Sequence, residues 1–290
     1  MSQIWMNGEF LDNDQAVVSV YDHGLLYGDG CFEGIRIYNG RILKLNSHIK
    51  RMFESAESIR LTPPYSFDEV EQAVRDTVAR NNQQNGYIRL VFTRGKGTLG
   101  LNPFLCPTPT VFIIVEDIKL YDDDMYDNGM SIITAKRPRV PIHCLDPKVK
   151  SLNYLNNILA KIEAVDAGVL EALMLNTEGH VSECTGDNIF LIKDGKISTP
   201  SVDAGILHGI TRSFVIEEVA PSLGYSVEER TISLDEIKQA DEVFLTGTAA
   251  EVIGVNKIDS EVIGNGKVGD ITHTLIEAFR TLVSENAPED

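Results

Sequence analysis

The stretch DPKVKSLNYLNNILAK (Asp146 to Lys161) holds three lysines, and their surroundings differ. From Leu152 the apolar residues recur at Leu155, Ile158, Leu159, Ile162 and Val165, with Gly168 as a stop signal, which is helical spacing. Pro147 is excluded from a helix interior, so the spacing predicts a helix beginning near Ser151 that buries its Leu/Ile face. Lys150 would then stand at the positive end of the helix dipole, where an ammonium is disfavoured and a neutral, nucleophilic amine is favoured. A tolerated surface lysine fits the same pattern, and spacing alone leaves both readings open. Other stretches suit anions and protons. HGITRSFVIEEVA puts Gly209, Ile210 and Thr211 at a helix start, where free N–H groups and a hydroxyl can take a phosphate. LTGTAAEV ends a strand in a turn of small residues (Gly247, Thr248, Ala249, Ala250) that lets a ligand approach the backbone. Glu183 closes the strand HVSEC as an acid at a rim. Arg51 lies on a helix roughly opposite the stripe Ile49, Met52, Phe53 and Ala56, so pattern alone leaves it in water.

The elements that must position these residues read as α+β. The 290 residues are 43% hydrophobic and 24% charged, as in a globular protein with real cores, and the formal net charge of −17 argues against nucleic acid. IWMNGEFL and FEGIRIYNGRILKL each carry an Asn-Gly hairpin signal, and NIFLIKDGKIST an Asp-Gly one. Helices are expected over SHIKRMFESAESI with Ser47 as N-cap, from about Phe67 to Asn81, from near Thr211, and from about Asp270 to Ser284. The polar stretch DIKLYDDDMYDNG suggests a linker. The expected organisation is a smaller domain over 1–118, a linker over 119–129 and a larger domain over 130–290. GKGTLG (Gly95 to Gly100) matches a dinucleotide fingerprint, but LNPFLCPTPT after it carries three prolines and cannot supply the crossover helix. The histidines and the four scattered cysteines show no metal spacing, no apolar run is long enough to cross a membrane, and no secretion signal is visible. A reduced cytoplasmic setting is expected.

Taken singly, these sites read as an N-cap, a turn, a rim acid and a surface arginine. Together, phosphate contacts, an acid for a ring nitrogen and a lysine of lowered pKa describe a pocket for pyridoxal 5'-phosphate. KSLNYLNNILAK, VSECTGDNIF, HGITR, DEVFLTGTAAEV and YGDGCFEGIRIYNG resemble, in order along nearly the whole chain, the two-domain fold-type IV pyridoxal-phosphate enzymes (D-amino-acid aminotransferase-like). They most resemble the branched-chain amino-acid aminotransferases. The resemblance implies that Lys150 binds the cofactor covalently and shuttles the substrate proton, with Lys148 and Lys161 as bystanders. It implies that Glu183 pairs with the pyridine nitrogen, supported by Asn188. Arg51, Gly209, Ile210, Thr211 and Thr248 would hold the phosphate, Tyr154 the phenolic oxygen, and Leu207 the ring face.

The same resemblance implies a substrate. Tyr27, Phe32 and Tyr87 would line an apolar pocket for leucine, isoleucine or valine, and Arg89 of YIRLVF would take the second carboxylate of glutamate or 2-oxoglutarate. The backbone at Thr248 and Ala249 would take the α-carboxylate, and Tyr121 would reach the pocket from a partner subunit, so at least a homodimer is expected. TRGKGTLGLNP lacks the Arg-x-His trap of the D-amino-acid transaminases. The KSLN spacing is shared with some D-specific and aminodeoxychorismate lyase members, which keeps both as alternatives. A non-catalytic binder of the cofactor is the remaining one.

Overall fold

A computed structural model of the chain describes residues 2–118 and 121–286. The described residues divide into two compact units, the first comprising 2–118, Val149–Asn153 and Asn286, the second 121–148 and Tyr154–Glu285. Of the expected linker, Lys119 and Leu120 lie outside the described residues, as do Met1 and 287–290 at the chain ends.

In the first unit, strands β1 (Gln3–Met6), β2 (Glu9–Asp12), β3 (Gly30–Tyr38), β4 (Arg41–Ile42), β5 (Gly86–Thr93) and β6 (Thr110–Glu116) form one antiparallel sheet in the order β2-β1-β6-β5-β3-β4. The two expected hairpins are present. Asn7 and Gly8 (φ 51° and 95°) and Asn39 and Gly40 (φ 52° and 78°) take the left-handed conformations that a two-residue hairpin turn demands. A short helix, α1 (His23–Tyr27), precedes β3. Helices α2 (Leu45–Ser58) and α3 (Phe67–Arg80) supply the apolar faces that, with the sheet, form the core. Leu45, Ile49 and Met52 are fully buried there, each contributing about 1.5–3 kcal/mol by leaving water. Ser66 caps α3 in a reciprocal capping box with Glu69. Ser47 is not the cap of α2: the helix begins two residues earlier, behind Lys44 at φ 51°. The residues after β5 form a loop with a single 3₁₀ turn (Pro103–Leu105), and β6 pairs antiparallel with β5, so GKGTLG opens no crossover helix.

The largest departure from expectation concerns Lys150. It does not stand at a helix start. Phe32 N–H donates to Lys150 O (3.0 Å) and Leu152 N–H to Gly30 O (2.9 Å), so Ser151 forms an isolated antiparallel bridge with Cys31 of β3. The helix begins only at Leu155, with Tyr154 at its cap. Pairing with β3 satisfies the backbone groups that the spacing assigned to a first helical turn, and the helix dipole therefore does not act on Lys150.

The second unit contains a mixed nine-stranded sheet: β7 (Met130–Thr134), β8 (Glu171–Leu175), β9 (Val181–Cys184), β10 (Asn188–Lys193), β11 (Lys196–Pro200), β12 (Val227–Arg230), β13 (Glu242–Gly247), β14 (Glu251–Ile258) and β15 (Glu261–Val262). The strand order is β12-β11-β10-β13-β14-β7-β8-β9, with β15 on β14. The Asp194-Gly195 hairpin turn is present (φ 50° and 72°). Residues 123–128 of the expected linker form helix α4 (Asp123–Asn128), and Tyr121 just before it belongs to this unit's core. Helix α5 (Leu155–Asp166) buries Asn157, Ala160 and Ala164, and its alanines meet Ala172 and Met174 of β8. Leu155, Ile158, Ile162 and Val165, expected inside, are 48–64% exposed. Small residues let the helix approach the sheet closely, so its large apolar side chains occupy the opposite face. Helix α6 (Ile210–Phe214) continues through a π turn (Val215–Val219) into α7 (Ala220–Ser222), and α8 (Leu234–Lys238) and α9 (Asp270–Asn286) complete the unit. Among the described residues no helix is long and apolar enough to cross a membrane, and no cluster could hold a metal ion.

Candidate active site

In the first unit, the segment beside β3 holds Lys150 half-buried, with Nζ 4.6 Å from the centre of the Phe32 ring. The Arg89 guanidinium on β5 also lies 4.6 Å from that ring centre, and its Nη2 donates to the Tyr87 hydroxyl (3.2 Å). Phe32 thus carries an amine and a guanidinium around one apolar face. Tyr87 occupies space beside Gly34 that any side chain there would claim, so this packing requires glycine. Tyr27 is on α1 and anchors a neighbouring loop, its hydroxyl accepting from Gly100 N–H (3.0 Å). Ser55 on α2 receives the Lys150 N–H (3.1 Å) and fixes its backbone.

Arg51 is not in water. It is 7% exposed and forks onto the fully buried Glu33 of β3, Nε to Oε1 and Nη2 to Oε2, both 2.8 Å. His48 Nδ1 lies 2.7 Å from Glu33 Oε2. Burial acts to raise the Glu33 carboxyl, but the charge of Arg51 and the hydrogen bonds of Arg51 and His48 outweigh it and hold it well below the usual carboxylate range. Burial lowers the imidazole of His48 in spite of Glu33, so His48 is neutral and its Nδ1 carries the proton donated to the acid.

In the second unit, Glu183 is 5% exposed rather than a solvated rim acid. Arg139 grips its Oε1 with Nε (2.9 Å) and Nη2 (2.8 Å). Its Oε2 accepts from Leu207 N–H (3.0 Å) and Asn188 Nδ2 (3.1 Å), the support expected of Asn188. Arg139 is itself held by Asn157 of α5, whose Oδ1 accepts from Nη1 (2.9 Å). Gly209 packs against Asn188 so closely that a Cβ would overlap the amide, and it leads α6 without any side-chain cap on the N–H groups at Ile210 and Thr211. Thr248 and Ala249 lie half-buried in the turn after β13, and Thr246 Oγ1 just before it is buried without a hydrogen-bond partner. Asp187 underlies that turn and leaves Gly247 no room for a side chain. Burial, with the charge of Glu171 second, pushes the Asp187 carboxyl up to about 8. The carboxyl beneath the turn is therefore biased towards its neutral form at neutral pH.

The three lysines now separate. Lys148 is exposed and paired with Asp146 (3.2 Å), while Lys161 approaches the buried Glu171 (3.4 Å). Lys150 is the one set beside an aromatic ring. Tyr154 is half-buried at the head of α5. Tyr121 is 6% exposed in the core of its own unit, where burial followed by Asp187 and Glu171 raises its hydroxyl. Its ring joins the Tyr126 and Met130 cluster. Glu33, His48, Arg139, Asn157, Glu171 and Asp187 were not singled out from sequence. Glu33 carried a usable signal: it interrupts the otherwise apolar face Cys31, Ile35 and Ile37 of a strand, so it needs a buried cation.

These donor sets fit pyridoxal 5'-phosphate. An amine, an oriented carboxylate, uncapped helical N–H groups, a glycine cradle and an orphaned threonine hydroxyl are what an aldehyde, a pyridine nitrogen and a phosphate require. The family model for class IV amino-transferases matches residues 30–258. A Methanocaldococcus jannaschii protein named, provisionally, as a branched-chain-amino-acid aminotransferase is 47% identical over 280 residues, 97% of this chain and 96% of its own. A D-alanine aminotransferase of Staphylococcus haemolyticus is 38% identical over 291 residues, 99% of this chain and all of its own. The crystal structure of the branched-chain amino acid aminotransferase from Thermobaculum terrenum, in its PLP-bound holo-form, superposes with a TM-score of 0.89 at 31% identity, covering 100% of this chain and 95% of that one. A family model spanning most of the chain, and relatives alike over nearly their full length, make this chain a member of the class IV aminotransferases, with their mixed α+β fold.

Proposed function

We infer that this chain is a branched-chain amino-acid aminotransferase, transferring the amino group of L-leucine, L-isoleucine or L-valine to 2-oxoglutarate. The products are branched 2-oxo acids and glutamate. The observation that carries the substrate is the Phe32 ring with the Arg89 guanidinium 4.6 Å away. One pocket must take an apolar side chain in one half-reaction and a side-chain carboxylate in the other. An aromatic wall edged by an arginine meets both needs, since an arginine–carboxylate pair is charge-assisted and often bidentate.

Pyridoxal 5'-phosphate, when bound, supplies an electron-withdrawing ring that stabilises charge developing on the substrate Cα. Lys150 Nζ binds the cofactor and carries the proton from Cα. Glu183, held in place by Arg139, keeps a proton on the ring nitrogen. Asn188 and Leu207 fix that acid, and the Leu207 side chain packs on the ring. Arg51, Gly209, Ile210, Thr211 and Thr248 take the phosphate, and Tyr154 the phenolic oxygen. Tyr27 and Tyr87 complete the apolar wall, and the N–H groups at Thr248 and Ala249 take the α-carboxylate. The exposed apolar stripe of α5 supports assembly into at least a homodimer, and four free cysteines suit a cytoplasmic setting.

The test is a comparison of initial rates for L-leucine and D-alanine, each with 2-oxoglutarate. L-leucine should exceed D-alanine by at least about 100-fold in kcat/KM, or roughly 2.7 kcal/mol in transition-state binding. A preference for D-alanine would assign the chain instead to the activity of its Staphylococcus haemolyticus relative.

A further inference from the structure

We propose that Glu33, together with His48, is a positioning residue for the anion-binding arginine of the first unit. The inference rests on the reading of Arg51 as a phosphate contact. Glu33 is fully buried on β3 and uses both carboxylate oxygens on Arg51, at 2.8 Å each, while His48 adds a third contact at 2.7 Å. His48 and Arg51 stand three residues apart on α2, so both project from one helical face towards the strand. The fork consumes the Nε–Nη2 edge of the guanidinium.

An arginine side chain is long and carries much rotamer freedom. Left alone in this core it would also be an uncompensated buried charge. Glu33 removes both difficulties: it balances the charge and sets the plane of the guanidinium before any anion arrives. His48 completes the hold from the acid's side. Because the imidazole is neutral, it adds no second positive charge beside Lys150. The network thus orders the guanidinium on folding rather than on binding.

The test compares pyridoxal 5'-phosphate with pyridoxal, which lacks the phosphate, by titrating cofactor-free protein and following visible absorbance. Glu33→Gln should weaken pyridoxal 5'-phosphate binding by about 10- to 100-fold, the range for one charge-assisted hydrogen bond, and change pyridoxal binding by less than about twofold. Arg51→Met should lower the ratio of the two affinities similarly, and the double variant should lower it no further. His48→Gln, which leaves the Arg51–Glu33 fork in place, should shift the ratio in the same direction by a smaller factor, and it carries the test if Glu33→Gln does not fold. Equal weakening of both ligands by Glu33→Gln, or an unchanged ratio with His48→Gln in its absence, overturns the positioning role. An unchanged ratio with Arg51→Met overturns the phosphate reading of Arg51 instead, and with it the premise.

Discussion

Replacing Arg139 by methionine removes the cation from a buried pair while keeping a side chain of similar length. Arg139 gives Glu183 a hydrogen bond at 2.9 Å and a second ion-pair contact at 2.8 Å, and gives Asn157 a hydrogen bond, with both charged partners almost completely enclosed. In the variant, Glu183 keeps the Leu207 N–H and Asn188 amide on Oε2 but loses the cation beside Oε1. Breaking a buried pair on one side costs about 3–5 kcal/mol, against 0–1 kcal/mol for an exposed one. With an m-value of about 3 kcal/mol/M for a chain of this size, the urea midpoint should fall by roughly 1–1.7 M at unchanged m. Far-UV circular dichroism is the suitable probe, because the single tryptophan, Trp5, lies in the first unit and Arg139 in the second. Adding Glu183→Gln to Arg139→Met removes the stranded charge and should restore part of the loss, with a coupling of about 0.5–3 kcal/mol. A loss below about 1 kcal/mol for Arg139→Met, or strict additivity in the double variant, would refute the pairing as the means by which Glu183 is held in place.

Two further outcomes follow from the site. Lys150→Ala should abolish the visible absorbance of the cofactor-loaded protein and leave no lysine to be tagged by borohydride, whereas Lys148→Ala should keep both, since Lys148 is exposed and paired with Asp146. Peptide mapping that finds the tag on Lys148 or Lys161 would sink the assignment. Arg89→Leu should raise KM for 2-oxoglutarate about 10- to 150-fold, at roughly 1.5–3 kcal/mol for a charge-assisted bond, and leave KM for L-leucine nearly unchanged; equal weakening of both would place Arg89 on the shared α-carboxylate.

What the sequence made legible was local. The Asn-Gly and Asp-Gly turns fix left-handed φ values by themselves, and the Ser66–Glu69 capping box closes within one helical turn. Lys150 was misplaced because its conformation is set by strand β3, more than a hundred residues earlier in the chain, and no spacing near Lys150 records that pairing. The periodicity of α5 showed that one face is apolar without showing which face meets the sheet; Ala160 and Ala164 won that place because they allow the closer approach. Arg51 was misjudged for a related reason. Its partner is a carboxylate on another element, and a helical wheel counts an arginine as polar whether or not an acid awaits it in the core.

The buried charges share a logic that stability does not supply. Glu33 with Arg51, Glu183 with Arg139, and Glu171 with Asp187 and Lys161 each sit against apolar clusters, where well-packed hydrophobic residues would be as stable or more so. Each set also immobilises something other than itself. The first sets the plane of a guanidinium, and the second fixes one carboxylate oxygen by an arginine fork and the other by a backbone N–H. The third, with burial, raises the Asp187 carboxyl under a turn whose backbone is proposed to receive an anion. Fixed direction is what a neutral core cannot give, because dispersion contacts do not specify where a donor or acceptor points. A chain that retains three such sets is specifying donor and acceptor directions to within a hydrogen bond, which is the requirement of a site that must hold a rigid, multiply polar cofactor in one orientation.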